Sequence, residues 1–127
     1  MQIIEELKTQ ADNDMGAARA LQMAGYYGHA LFWAHLALEK LCKALWVKKN
    51  VNEFYPRIHN LIKLLKGCDI ELDEEQILFY SDMNTFQSKG RYGEELSTIE
   101  RTITKEKCEN YFQQSETQII WLKNQLR

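Results

Sequence analysis

Hydrophobic residues recur at intervals of three and four along most of the chain, which is the spacing of one face of an α-helix. The strongest pattern is an apolar stripe of six residues: Tyr27, Leu31, Ala34, Leu38, Leu41 and Leu45. Three alanines at intervals of seven flank it: Ala30, Ala37 and Ala44. Because alanine is small, a second helix can approach this strip closely. The pattern therefore predicts a central helix that packs against its neighbours.

Four further helices are predicted around the central one. The first spans about residues 2–24. A short third helix ends at Gly67, since glycine best suits a left-handed turn after a helix. The fourth opens with Asp73 and Gln76, which are spaced as a capping box. The last is capped by Thr104. Its apolar stripe comprises Cys108, Phe112, Ser115, Ile119, Leu122 and Leu126.

Two segments interrupt the helical pattern. Residues 51–56 are predicted to form a loop, because the residue before Pro56 is biased away from helix. Residues 88–104 contain two glycines and little periodicity, and predict a long, partly ordered loop. No segment alternates as a strand does. The sequence thus predicts an all-α protein: a five-helix up-and-down antiparallel bundle forming a single domain over residues 1–127.

Composition narrows the class of protein. Hydrophobic residues make up 45% of the chain and charged residues 27%, as in a soluble globular protein. No apolar run approaches the roughly 18 residues needed to span a bilayer, and Glu5 and Glu6 argue against a signal peptide. Cys42, Cys68 and Cys108 are too far apart for a disulfide framework or a zinc site. We expect a cytoplasmic protein with no membrane contact, no metal and no other cofactor.

Charge is unevenly distributed along the chain. Residues 40–66 contain seven basic residues and one acidic residue, whereas residues 69–82 contain six acidic residues and no basic one. One interpretation is that the two charged surfaces pair with each other, within or between subunits. The other is that the basic surface binds phosphate groups.

His59 is the first candidate for phosphate chemistry. It lies in the segment 56–60, where the short third helix is predicted to begin, beside Arg57. A helix N-terminus offers unpaired N–H groups and a partial positive charge, which favour a phosphate. The alternative is that His59 or Asn60 simply caps the helix.

The second candidate is the segment 89–93, in which two glycines bracket Arg91 and Tyr92. Arginine can bind a phosphate through two parallel hydrogen bonds, and tyrosine can stack on a base. The alternative is that Arg91 packs against an acidic helix of its own domain. The spacing matches no glycine-rich phosphate loop.

Catalytic patterns are missing from the sequence. It has no serine-nucleophile turn and no zinc-protease motif. His35 and Glu39 are one helical turn apart but lack a third metal ligand, so polar packing is the better interpretation of this pair.

A series of short motifs, taken in chain order, resembles the HEPN domain, a family named for its occurrence in higher eukaryotes and prokaryotes. The matching positions are Gly25-Tyr26-Tyr27, Ala30, Ala34, Ala37, the run Leu38-Glu39-Lys40-Leu41-Cys42-Lys43-Ala44-Leu45, His59-Asn60-Leu61 and Arg91-Tyr92. The resemblance covers nearly the whole chain. Gly93 stands where the family usually has proline after Arg-Tyr.

The resemblance implies a five-helix bundle that is frequently a homodimer. It also implies a role beside a small nucleotidyltransferase encoded next to it, in two-component systems of the toxin–antitoxin kind. Some family members are metal-independent ribonucleases with an arginine, four to six further residues and then a histidine. None of the three histidines here has an arginine at that spacing. We therefore do not expect a self-sufficient enzyme.

The combined hypothesis is a helical module that binds a nucleotide or a nucleic-acid phosphate and pairs with a nucleotidyltransferase. The predicted ligand-binding residues are Lys40, Lys43, His59, Arg91 and Tyr92. One alternative is a purely structural dimerisation or partner-binding bundle. Another is a ribonuclease in which Arg91 and His59 meet in space despite their order in the chain.

A homodimer is also favoured by aromatic residues that lie off the main stripes. These residues are Trp33, Trp46, Phe54 and Tyr55. Exposed aromatic surface of this kind often marks an interface.

Overall fold

Six helices form the part of the chain that the computed structural model describes, which is residues 1–89 and 93–127 without the side chain of Lys89. They are α1 (Gln2–Met23), α2 (Tyr27–Asn50), α3 (Leu61–Lys66), α4 (Glu74–Lys89), α5 (Gly93–Thr102) and α6 (Lys105–Gln125). Within these ranges the structure has no strand. The predicted all-α helical bundle is confirmed, with six helices instead of five.

Helix α2 is the axis of the bundle and packs against each of the other five helices. From Leu31 to Leu45, every member of its apolar stripe is fully buried, and so are the three flanking alanines. The stripe's first member, Tyr27, packs against the core while partly exposed. Removing apolar surface from water contributes about 25 cal/mol per Å². A helix with this much buried apolar surface therefore makes a large contribution to the stability of the fold.

The predicted helix starts at Asp73 and Thr104 are confirmed. The Gln76 N–H donates to Asp73 Oδ1 at 2.7 Å, and the Asp73 N–H donates to Gln76 Oε1 at 3.1 Å. The Thr104 hydroxyl oxygen accepts from the Lys107 N–H at 3.1 Å. Side chains thus satisfy N–H groups that have no partner inside their helices.

The prediction of a left-handed turn at Gly67 is wrong. Its φ is −66°, and the left-handed residue is Asp69, two positions later, with φ 56°. Glycine is required at 67 for another reason: a Cβ there would lie 2.8 Å from Nε1 of Trp46. The missing side chain lets the indole ring pack against the end of α3.

The prediction of a loop over residues 88–104 is also wrong for the part of that range that forms α5. Gly93 begins this helix instead of breaking it, and no residue of α5 is fully buried. The helix is fastened to α2 by Glu100, whose Oε1 accepts the His29 backbone N–H at 2.7 Å. Gly28 makes room for this contact, since a Cβ there would lie 2.9 Å from Glu100 Oε1.

The aromatic residues that suggested a homodimer differ in exposure. Phe54 is 81% exposed and Trp33 is 36% exposed. Trp46 and Tyr55 are partly buried. Of these four residues, only Phe54 and Trp33 are exposed as an interface would require, and the homodimer stays a prediction.

Among the described helices, none is long and apolar enough to cross a membrane.

Leu38→Ala should lower the free energy of unfolding by about 2 to 5 kcal/mol, because Leu38 is fully buried at the middle of α2. Urea denaturation measures this change. Leu78→Ala is the control: Leu78 is 65% exposed and its truncation should cost far less. A loss below about 0.5 kcal/mol for Leu38→Ala would show that this face of α2 is not in the core.

Gly28→Ala should loosen α5, because the new methyl group collides with the Glu100 carboxylate and with Ile99. Amide hydrogen exchange should become faster in α5 while the core of α2 stays protected. Gly16→Ala is the control, since a Cβ at Gly16 meets nothing within 4 Å. It should stabilise α1 by about 0.5 to 1 kcal/mol. Unchanged exchange in α5 would contradict the attachment.

Candidate functional site

A buried carboxylate in α2, that of Glu39, is the centre of a polar cluster. Its side chain is 4% exposed. Oε2 accepts from Lys43 Nζ at 2.9 Å, and Oε1 lies 3.0 Å from His59 Nδ1. An isolated buried charge is very costly, so the ammonium of Lys43, itself only 8% exposed, is needed to balance the carboxylate.

His59 is the part of this cluster that a ligand can reach. It lies between α2 and α3, and half of its side chain is exposed. An ionised carboxylate only accepts hydrogen bonds, so Nδ1 carries the proton and donates to Glu39. Nε2 then remains for a ligand. It accepts a hydrogen bond when the ring is neutral and donates one when the ring is protonated.

Tyr55 encloses Lys43 on a second side. The Lys43 ammonium lies 5.0 Å from the centre of the Tyr55 ring. At this distance the ring face attracts a cation. The ammonium is thus held between the Glu39 carboxylate and the ring.

The start of α3 is bonded to two asparagines. Asn84 in α4 accepts the Leu61 N–H at 3.0 Å and donates to Asn60 Oδ1 at 3.0 Å. Asn60 Oδ1 also accepts the N–H groups of Ile62 and Lys63. Asn60 is therefore the N-cap of this six-residue helix. Because side chains already bond these three N–H groups, the groups are not open to a phosphate. The hypothesis that a phosphate binds at the start of α3 is therefore replaced by one in which side chains bind it.

His35 lies in α2 one turn before Glu39 and is fully buried. Burial lowers its pKa to about 4, although the charge of Glu39 acts in the opposite direction. The ring is therefore neutral at pH 7. Nε2 lies 3.2 Å from Asn84 Oδ1, an acceptor, so Nε2 carries the hydrogen. The bare Nδ1 has no hydrogen-bond partner in the described part of the chain. His35 is a residue of polar packing.

The structure brings together two of the five residues predicted for the ligand site. Lys43 and His59 meet through Glu39. Lys40 is directed elsewhere: its ammonium lies 3.0 Å from Asp14 in α1. Arg91 and Tyr92 lie outside the described residues.

The sequence predictions did not assign roles at the site to Glu39 and Asn84. The spacing of Glu39 and Lys43, four residues apart on a buried helix, was a usable signal for an ion pair. Nothing in the sequence marked Asn84, since its contacts are with a segment more than 20 residues away.

A family model of the HEPN domain matches residues 4–125, nearly the whole chain. The chain belongs to the HEPN domain family. No curated protein and no solved structure matches it at the significance required.

The opposite charges of this HEPN domain do not neutralise each other within the described residues. No ion pair there joins the basic segment 40–66 to the acidic segment 69–82. Within residues 1–89 and 93–127, the basic and acidic segments therefore do not pair with each other in the way that one of the two interpretations expected. Lys40 and Lys43 of the basic segment pair instead with Asp14 and Glu39.

The cysteines of the HEPN domain are free and buried. Burial raises the pKa of Cys68 to about 11 and that of Cys108 to about 12, and it raises the pKa of Cys42 as well. Since the thiolate is the reactive form, none of the three is suited to nucleophilic attack. No three histidine, cysteine, aspartate or glutamate side chains among the described residues are grouped to hold a metal ion.

Acid should destabilise the fold through His35. In the unfolded chain its ring takes up a proton near pH 6.5, whereas in the folded protein it does so only near pH 4. The contribution of the neutral His35 ring to the free energy of unfolding is therefore fully present above pH 6.5 and is lost as the pH falls towards 4. The loss amounts to about 3 kcal/mol.

Denaturation of the wild type and of His35→Gln across this pH range tests the effect. The variant should lose less stability on acidification. His29→Gln, at a histidine that is 47% exposed, is the comparison for the loss of a surface histidine. Equal acid sensitivity of His35→Gln and the wild type would exclude His35 as the cause.

Proposed function

We propose that this HEPN domain binds the phosphate group of a nucleotide or nucleic acid at the cluster of Lys43, Glu39 and His59. The observation that carries the proposal is the 3.0 Å contact between His59 Nδ1 and a buried carboxylate, on a histidine that is half exposed. Glu39 fixes the ring and leaves Nε2 for the ligand. When His59 is protonated, Nε2 donates to a phosphate oxygen while the Nδ1 bond is retained.

The surroundings of the cluster favour an anion. Lys43 balances the charge of Glu39, so a protonated His59 leaves the group with a net positive charge. Arg57, two residues away in the chain, is exposed and carries a further positive charge. Phosphate contacts of this kind depend strongly on salt, because binding releases counterions.

The network behind His59 keeps the site rigid. Asn60, the next residue, is held by hydrogen bonds to Asn84 and to two N–H groups of α3. A histidine that is fixed through its own side chain and through the side chain of the next residue loses little freedom when a ligand binds. Such preorganisation favours affinity.

Three other predicted residues complete the proposal. Arg91 would supply a fixed positive charge and Tyr92 a ring that stacks on a base. Lys40 would contribute if its ammonium left Asp14 for the ligand. The proposal also includes a homodimer and a nucleotidyltransferase partner in a toxin–antitoxin-like system, as the family resemblance implies.

A histidine bonded to a carboxylate is also the arrangement of a general base. The ribonuclease alternative therefore calls for a check that the RNA in any binding experiment stays intact. The structural alternative, a bundle that only dimerises or binds a partner, is favoured by Phe54, which is 81% exposed.

Titration calorimetry with ATP, GTP and a short RNA tests the proposal. At least one of these should bind, and the affinity should fall as salt rises. His59→Ala should weaken binding by about tenfold or more, the effect of losing a hydrogen bond to a charged group. Arg91→Ala should weaken it as well without unfolding the protein.

His29→Ala is the matched control, because His29 has a similar exposure and also lies against a carboxylate, that of Glu100. It should bind as the wild type does. Absence of binding to all three probes, or binding that is unaffected by both His59→Ala and Arg91→Ala, would favour the structural alternative.

A further inference from the structure

We propose that the groove between α4 and α6 is a docking site for a basic segment of a partner protein. That segment presents an apolar side chain flanked by lysine or arginine. The groove is separate from the Glu39 cluster and shares no residue with it. This proposal therefore goes beyond phosphate binding.

The groove has a partly apolar lining. It encloses about 370 Å³, and its lining includes Leu78, Phe79, Ile103 and Tyr111. A second section of about 390 Å³ continues along the same two helices and ends at Trp121. The two sections share Glu75, Phe79 and Gln114. Because they share lining residues, the two sections form one continuous open groove along α4 and α6.

An aliphatic side chain lies in the groove and faces solvent. Leu78 is 65% exposed, and its neighbour Ile77 is 46% exposed. Adjacent exposed aliphatic residues beside a groove are typical of a surface that another protein covers. The apolar side chain of the partner segment would pack against Leu78.

The charge of the groove determines what kind of segment it takes. Glu75 and Asp82 line it, and one ammonium, that of Lys107, opposes them. None of the six carboxylates in residues 69–82 forms an ion pair within the described part of the chain. A negative surface repels phosphates and anionic lipids and attracts lysine and arginine. The groove therefore fits a basic protein segment and not a nucleic acid.

Selection of short random peptides displayed on phage, with the full chain as the target, tests this assignment. The selected peptides should carry lysine or arginine on both sides of a large apolar residue. A synthetic peptide of the selected sequence should bind the wild type. Leu78→Asp and Glu75→Lys should each weaken that binding by about tenfold or more. Both positions are exposed, so the variants should keep the wild-type melting temperature.

Ile120→Asp is the matched control, since Ile120 is 63% exposed on α6 but does not line this groove. It should bind the peptide as the wild type does, and so should His59→Ala, which separates this proposal from phosphate binding. Selected peptides without basic residues, or peptides that bind Leu78→Asp as tightly as the wild type, would overturn the proposal. A wild-type dimer that Leu78→Asp converts to a monomer in sedimentation would also overturn it, because a second copy would then occupy the groove.

Discussion

The burial of the Glu39 charge inside the central helix is the constraint on which the rest of the site depends. A carboxylate that is 4% exposed needs partners. Lys43 supplies one from the same helix, and His59 supplies the other from the segment that follows α2. Satisfying Glu39 thus brings the segment after α2 back against that helix and helps to set where α3 begins.

Helix α2 also carries the apolar core, and burial in that core explains how its polar side chains are bonded. Helix α2 packs against the other helices, so a polar group on its covered face must find its partner within the bundle. Glu39 finds the ammonium of Lys43 and the ring of His59. His35, one turn earlier, finds the neutral amide of Asn84, and its ring is neutral. Burial, and not the identity of its partner, keeps the His35 ring neutral, because the bond to Asn84 and the charge of Glu39 both raise its pKa.

Local patterns predicted the local features of the fold. The stripe of α2 and the caps at Asp73 and Thr104 depend on spacing along a single helix, and they appear as expected. For helix α5 the prediction was wrong, and its contact with α2, from Glu100 to the backbone N–H of His29, joins segments that are far apart in the chain. The same distinction between local patterns and distant contacts applies to the site. His59 and Lys43 were named from the sequence, whereas the pairing through Glu39 depends on how the chain returns to α2.

Helix α4 links the two surfaces for which we propose partners. Asn84 on this helix bonds the start of α3 next to His59, while Asp82 lines the groove against α6. Two residues along a helix correspond to a rotation of about 200°, so these side chains point in nearly opposite directions. An anion near His59 and a basic segment in the groove would therefore bind on opposite sides of α4. Each would meet charges of the opposite sign, and neither would have to displace the other.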